Sequence, residues 1–175
     1  KNKNDEHNFE QLALSEIQKV SLDGSSETWL PGAMYADISF SPDGTYVMVS
    51  TIAKPFSYLV PYYRFPSTTT IYSQEGKKVE TVLEVPLIED LPKGFMATRT
   101  GRRNLSWRSD KPSTLVFVVA LDDGDPENEV EFRDEVFQLE APFSGEPESL
   151  LKTINRYSYI QWGDEKTAIA HDRWW

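Results

Sequence analysis

The sequence predicts an all-β fold made of antiparallel hairpins, and three observations lead to this prediction. Strand-like runs alternate apolar and polar residues, as in Ile38-Ser39-Phe40. Short turn segments rich in Pro, Asp and Gly separate these runs, as in Ser41-Pro42-Asp43-Gly44. The same hairpin pattern then returns at intervals of some tens of residues, which is typical of repeat architectures.

One type of hairpin closes its first strand with an aromatic residue. Phe40 precedes the turn at 41–45, Trp107 precedes the turn at 108–114, and Trp162 occupies the same place in a third copy. A second apolar strand follows each turn, such as Tyr46-Val47-Met48-Val49 in the first copy. We call these the inner hairpins.

A second type of hairpin turns at a glycine and alternates with the first along the chain. Its turns contain Gly24, Gly76 and Gly145. The alternation gives groups of two, four, four and two strands, and four-stranded antiparallel meanders are the blades of β-propellers. The sequence therefore predicts a partial propeller of about three blades (half, two whole and half) over residues 17–175. We call the glycine-turn pairs the outer hairpins.

The first sixteen residues are expected to lie outside this domain. Residues 1–8 are polar, and the apolar side chains between Phe9 and Ile17 fall near one helical face. We therefore expect a polar tail over 1–16 that includes a short helical turn.

Composition excludes several classes of function. The formal charge of −10 argues against nucleic acid as a partner, and no apolar run is long enough for a membrane span. No apolar signal-peptide core follows the N-terminal residues. The absence of cysteine excludes thiolate chemistry but leaves the compartment open, with an extracytoplasmic one favoured for a bacterial source.

Three long loops are expected at one end of the predicted blades. They span 53–67, 86–103 and 122–133, whereas the opposite end carries shorter turns. Long loops on one face of a rigid scaffold commonly meet a ligand or another domain. We therefore place the candidate functional surface on this face.

Two of these loops supply the candidate binding residues. Arg64 comes from the first loop, and Arg99, Arg102 and Arg103 come from the second. They can attract an acidic substrate or pair with carboxylates of a partner domain, or they can simply neutralise nearby acidic residues.

The segment Lys54 to Pro66 is unusually aromatic for a loop. Tyr58, Tyr62 and Tyr63 lie there beside Phe56 and Phe65. These side chains can form a docking surface, or they can fold back as a small local core, and the sequence leaves both alternatives open.

No residue carries a recognisable catalytic or metal-binding pattern. A G-x-S-x-G elbow is absent, and the two histidines, His7 and His171, lack metal-ligand spacing, so His171 is expected to be structural. The acidic loop from Asp122 to Glu135 is interpreted as solvated, with a calcium site as the alternative. We expect no cofactor, no metal and no catalytic residue.

Longer stretches of the chain resemble a known family. KPFSYLVPYYRFP, PLIEDLP, NLSWRSDKPSTL and RYSYIQWGDEKTAIAHDRWW resemble the propeller region of serine peptidases of the prolyl oligopeptidase family, in the glutamyl-endopeptidase-like branch. The resemblance runs from about Phe9 to the end of the chain. It implies a parent enzyme with a propeller and a C-terminal α/β-hydrolase domain that carries a Ser-Asp-His triad, with none of the triad positions in this chain.

The resemblance predicts a non-catalytic segment that gates access of peptides and docks the hydrolase domain. A stand-alone propeller-like binding module is the alternative, and a calcium-stabilised adhesion domain is a third possibility. A G-x-S-x-G elbow encoded downstream would favour the first, and a stop codon the second. Because a partial propeller leaves strand edges exposed, self-association through those edges is also expected.

Overall fold

Antiparallel strands dominate the described part of the chain, which is residues 2–174 of this computed structural model. These residues form eleven strands and one α-helix, so the predicted all-β fold is confirmed. A 3-10 turn at Tyr62–Arg64 interrupts the first long loop. In chain order the elements are α1 (Lys3–Ala13), β1 (Ser15–Val20), β2 (Ser26–Phe40), β3 (Tyr46–Ile52), β4 (Ser67–Ser73), β5 (Lys78–Val85), β6 (Arg103–Trp107), β7 (Thr114–Ala120), β8 (Asp134–Glu140), β9 (Glu148–Thr153), β10 (Arg156–Asp164) and β11 (Thr167–Arg173).

The strands form three sheets in which sequential strands are neighbours. Their orders are β1-β2-β3-β4-β5, β6-β7-β8-β9 and β10-β11. The described chain divides into two compact units, residues 2–40 with 46–89 and residues 41–45 with 90–174. The five-stranded sheet belongs to the first unit, and the other two sheets belong to the second.

Strand β2 differs from the expectation, because the sequence predicted two strands where the structure has one of 15 residues. Its first half pairs with β1 and its second half pairs with β3. Pro31 and Gly32 lie between the pairs Ile17–Leu30 and Ser15–Ala33, where a bulge in β2 tolerates a missing N–H. The expected initial half-blade therefore shares β2 with the strands that follow, and together they form one five-stranded sheet.

The three outer hairpins share one irregularity. In each of them the second strand has one extra residue, without a cross-strand partner, directly after an equivalent pair. This extra residue makes a β-bulge. The pairs that precede the bulge are Ile17–Leu30, Thr69–Leu83 and Val136–Leu151. A shared bulge fixes the equivalence of these hairpins residue by residue, which the sequence pattern alone did not.

The three inner hairpins are equivalent through their aromatic residues, as predicted. Each aromatic occupies a cross-strand pair close to the turn, and the pairs are Phe40–Val47, Trp107–Leu115 and Trp162–Ala168. The repeat therefore consists of an aromatic-ended hairpin followed by a bulged one.

The helix begins earlier than expected and ends before the first strand. It covers Lys3–Ala13 instead of starting at Phe9. The side chain of Asn2 accepts a hydrogen bond from the backbone N–H of Asn4, and Asp5 and Glu6 stand in the first turn. Both features favour the N-terminal end of a helix. The prediction missed this start because it followed apolar periodicity, and capping is a polar signal.

Central strands supply the buried core of each unit. Val47, Val49 and Ile71 are almost inaccessible in the first unit. In the second unit β7 is buried nearly throughout, with Leu115 and Val118 at most 1% exposed. Apolar burial of this kind provides the main stabilising contribution to the fold.

Candidate functional site

The predicted site residues belong to different units of the structure. Tyr58, Tyr62, Tyr63 and Arg64 lie in the first unit, whereas Arg99, Arg102 and Arg103 lie in the second. Each group is therefore described within its own unit.

The aromatic loop of the first unit is partly a small core. The ring of Phe9 from the helix packs edge-on against Phe56 at 5.0 Å and against Phe65 at 5.9 Å between centroids. Phe56 and Phe65 lie 5.4 Å apart, and Lys54 forms a 2.7 Å ion pair with Glu10 of the helix. This aromatic cluster attaches the loop to α1.

The three tyrosines of the same loop point outward. Tyr58, Tyr62 and Tyr63 are 44%, 58% and 72% exposed. The Tyr58 hydroxyl donates a 3.0 Å hydrogen bond to the carbonyl of Asn2, and local desolvation, aided by Glu6, raises the pKa of that hydroxyl. The two alternatives left open by the sequence therefore divide the loop: the phenylalanines form a core, and the tyrosines form a surface.

Arg64 lies at the end of the 3-10 turn and joins the loop to the next segment through its backbone. Its N–H donates to the carbonyl of Pro61 at 2.9 Å, and its own carbonyl accepts from the N–H of Ile88 at 2.9 Å. The Ser57 hydroxyl adds a 2.6 Å bond to the Glu89 carboxylate. These bonds hold the exposed tyrosines on an ordered loop.

The arginines of the second unit have three different environments. Arg103 forms an ion pair with the buried carboxylate of Asp134. The guanidinium of Arg102 lies over the ring of Phe117, 4.6 Å from its centroid. Arg99 donates a 2.9 Å bond to the carbonyl of Thr100 and a second bond to that of Arg102. For Arg103 the alternative of neutralising an acidic neighbour is therefore correct.

Arg99 experiences repulsion as well as attraction. Desolvation lowers the pKa of its guanidinium, and the positive charge of Arg103 lowers it further. Its hydrogen bonds go to neutral carbonyls, so no carboxylate offsets this repulsion in the contacts described. A bound anion would interact favourably with this guanidinium.

The acidic loop is less solvated than the sequence suggested, since Asp122 and Asp134 are 1% and 0% exposed. Arg156 donates to both Asp122 oxygens at 2.7 Å and to Asp134 at 3.1 Å. Arg133 adds a 2.8 Å bond to Asp122. The interpretation of the loop as solvated is thus wrong for these two carboxylates, because arginines from three segments neutralise them. Among residues 2–174, no set of three acidic or histidine side chains gathers in a metal-binding arrangement.

The buried Arg156 also fixes the loop that carries the candidate arginines. Its Nε donates a 2.9 Å hydrogen bond to the carbonyl of Met96. Two residues further on, the N–H of Thr98 donates to the carbonyl of Gly124 at 2.9 Å. Arg99 is therefore presented by a segment attached to the acidic loop and to the start of β10.

A second buried arginine holds the other end of β10. Arg108 is 5% exposed and makes two hydrogen bonds to Asp110, at 3.0 and 2.6 Å. It also donates to Gln138, and its guanidinium lies 3.9 Å from the centroid of the Trp162 ring. Together, Arg108 and Arg156 attach the hairpin β10–β11 to the neighbouring four-stranded sheet at both ends.

His171 lies in the middle of that hairpin and has a packing role in the structure. Its ring stacks on Tyr159 at 4.2 Å between centroids, and the two residues are cross-strand partners. This contact agrees with the structural interpretation made from the sequence.

Sequence reasoning missed Arg108, Arg133 and Arg156 as organising residues. A signal was present, because Arg108 directly follows the aromatic end of a predicted strand and Arg156 shortly precedes the third inner hairpin, in an otherwise acidic chain. A charged residue beside a strand is usually solvated, so nothing in the sequence pairs either arginine with a particular aspartate.

The architecture is thus that of an all-β protein built from repeated antiparallel hairpins, with cationic and aromatic loop surfaces. No family model matches the chain. It is 38% identical over 169 residues to a protein named "Probable glutamyl endopeptidase, chloroplastic" from Oryza sativa subsp. japonica. A protein of the same name from Arabidopsis thaliana is 38% identical over 170 residues.

Each match covers 95% of this chain but only 18% of the relative. The chain is therefore related to a limited region of proteins named as peptidases. No helix among residues 2–174 has the length and apolar character needed to cross a membrane.

Proposed function

We propose that the chain is a non-catalytic β-propeller segment of a serine peptidase of the prolyl oligopeptidase type. The single observation that carries this proposal is the 38% identity to one region, 18% in length, of two proteins named glutamyl endopeptidases. The alternation of aromatic-ended and bulged hairpins supports the propeller, because it repeats a four-stranded meander. In this proposal, the segment limits the access of peptides and docks an α/β-hydrolase domain that carries the triad.

Two surfaces have suitable chemistry for these roles. Tyr58, Tyr62 and Tyr63 offer exposed rings on a loop fixed by the aromatic cluster, and such rings favour contact with another domain. Arg99 offers a cation without a carboxylate partner in the contacts described, which suits the acidic side chain of a peptide. Arg102, stacked on Phe117, and Arg64, on the tyrosine loop, are secondary candidates.

The peptide role is tested by binding to the purified chain. A Glu-containing peptide should bind more weakly to Arg99→Gln than to the wild-type chain. The affinity of the wild-type chain for this peptide should also fall as the salt concentration rises. Lys166→Gln is the matched control, since it removes one cation from an exposed turn of the same unit. Equal affinity of the two variants would refute the role of Arg99.

The non-catalytic role is tested separately. The purified chain is expected to leave a Glu-containing peptide uncleaved, and triad-dependent hydrolysis would refute this. The exposed tyrosines also suit the alternative, a binding module with no enzymatic partner. A hydrolase domain encoded downstream would favour the peptidase segment, whereas a stop codon would favour the module.

A further inference from the structure

Six strands of the described residues form the edges of the three sheets, and β1 and β11 are the first and the last of them along the chain. Within the described residues, β1 pairs only with β2, and β11 pairs only with β10. Both are exposed: Ile17 is the only half-buried side chain of β1, and His171 the only one of β11. Each strand thus presents a row of backbone N–H and C=O groups, which readily pair with another strand.

The sheet β6-β7-β8-β9 is a complete four-stranded unit, and the hairpins β1–β2 and β10–β11 each correspond to half of it. By their aromatic pairs, β10–β11 is equivalent to β6–β7, since Trp162–Ala168 corresponds to Trp107–Leu115. By the shared bulge, β1–β2 is equivalent to β8–β9. The hairpin β10–β11 is therefore the first half of a four-stranded unit, and β1–β2 is the second half.

We propose that β11 of one copy pairs with β1 of a second copy, which completes a four-stranded sheet in the order β10-β11-β1-β2. The pairing of β7 with β8 fixes the register. There Val118 stands opposite Val136, and these residues are equivalent to His171 and Ile17. His171 of one copy therefore lies opposite Ile17 of the other. This inference rests on the repeat alone and does not depend on the proposed peptidase relation.

The hydrogen-bond pattern of the same template shows which pairs lie closest. The backbone N–H of Leu121 donates to the carbonyl of Arg133, and the backbone N–H of Ala141 donates to the carbonyl of Ser113. Hydrogen-bonded pairs recur at every second position in antiparallel strands, so the pair Val118–Val136 is not hydrogen-bonded and has the shorter Cα separation. The equivalent pair of His171 and Ile17 is then also of the close type, about 4.5 Å between Cα atoms.

The charges predict that this association is weak in the natural sequence. In the same register Asp172 of β11 stands opposite Glu16 of β1, because the equivalent residues Val119 and Glu135 are paired. Like charges at directly opposite positions destabilise a strand pair. Glu16→Lys replaces this repulsion with attraction and should tighten the association about 2- to 10-fold.

Disulfide trapping between two variants tests the register, and the chain contains no cysteine of its own. Ile17→Cys and His171→Cys are prepared as separate chains and mixed under mild oxidation. A mixed disulfide dimer should form quickly in this mixture, because the close pair suits a disulfide. Val20→Cys mixed with His171→Cys is the control, because position 20 lies three residues away from position 17, the predicted partner of His171. Equal trapping in both mixtures would overturn the register.

Sedimentation of cysteine-free chains tests the association itself. The wild-type chain should show a concentration-dependent increase in mass, and Glu16→Lys should shift it to lower concentration, whereas Glu27→Lys on the exposed part of β2 should not. Ala170→Pro removes an N–H that points toward the proposed partner and should abolish the increase. The circular dichroism spectra of Ala170→Pro and of the wild-type chain are compared to check that the variant folds. If the spectra differ, only the result with Glu16→Lys is used to judge the proposal. A strictly monomeric wild-type chain and Glu16→Lys variant at all concentrations would overturn the proposal.

Discussion

Arg156 donates two parallel hydrogen bonds to Asp122, each 2.7 Å long, and both side chains are almost completely buried. This bidentate geometry is the strongest form of arginine–carboxylate contact. The pair joins the first residue of β10 to the loop that follows β7, while the Nε of Arg156 reaches Met96 in the preceding loop. One guanidinium therefore organises three segments of the second unit.

Arg156→Ala is expected to destabilise the protein by about 3–5 kcal/mol, because it leaves the buried Asp122 carboxylate without its main partner. Lys111→Ala is the control, since the Lys111–Glu140 pair is more exposed and should contribute less than about 1 kcal/mol. Urea unfolding of both variants measures the difference. Similar free energies of unfolding for the two variants would show that the buried pair contributes no more to stability than the exposed one.

The aromatic cluster of the first unit leads to a second prediction. Phe65→Ala should cost about 3–5 kcal/mol, because Phe65 is 8% exposed and packs against Phe9 and Phe56. Tyr63→Ala removes a ring that is 72% exposed, and it should change stability by no more than about 0.5 kcal/mol. Thermal unfolding followed by circular dichroism compares them. An equal loss in both variants would contradict the division of this loop into core and surface.

The repeat was predictable from the sequence because its markers are local. An aromatic before a Pro-Asp-Gly turn, as at Phe40, and a glycine turn, as at Gly24, each specify a hairpin without information from distant residues. The continuous strand β2 was not predictable, because Pro31 is compatible with a strand only when a bulge at its own position removes the need for its N–H. That bulge is a property of the paired strands.

The buried charges escaped prediction for a related reason. Asp122 belongs to a run of acidic residues and, judged by composition, should be solvated. Its partner Arg156 lies 34 positions further along the chain, and only the fold brings the two together. By contrast, the aromatic loop 54–66 was recognised correctly as unusual, although separating its phenylalanines from its tyrosines required the contact with Phe9 of the helix.

Asp43 in the first inner turn should make stability depend on pH. Desolvation alone would raise the pKa of its carboxyl, but hydrogen bonds from Ser41, Thr45 and Ser113 outweigh that effect and lower the pKa well below the usual range. A lowered folded-state pKa means that the stabilisation is fully present above the unfolded pKa of about 3.9 and is lost as pH falls below it.

The measurement is the free energy of unfolding of wild type and Asp43→Asn between pH 3 and pH 7. The advantage of the wild-type chain should be constant above about pH 5 and should shrink below about pH 4. Ser113→Ala removes one of the donors and should reduce the pH-dependent part without abolishing it. A difference that stays constant down to pH 3 would exclude Asp43 as the titrating group.

Three glycines separate backbone strain from steric overlap. Gly124 has a φ of +75°, and a Cβ there would overlap the Thr98 carbonyl at the point where the two loops of the second unit meet. Gly24 has a φ of +86° with open space around it, and Gly145 has open space without a positive φ. Alanine at Gly145 should change stability by at most about 0.5 kcal/mol, and at Gly24 it should cost about 1–2 kcal/mol.

Gly124→Ala should cost more than either, because the loop that presents Arg99 must move away from the acidic loop. Amide hydrogen exchange at Thr98 distinguishes this displacement from a general loss of stability: its protection should fall in Gly124→Ala and persist in Gly24→Ala, and unchanged protection in both would contradict the proposed attachment of the two loops.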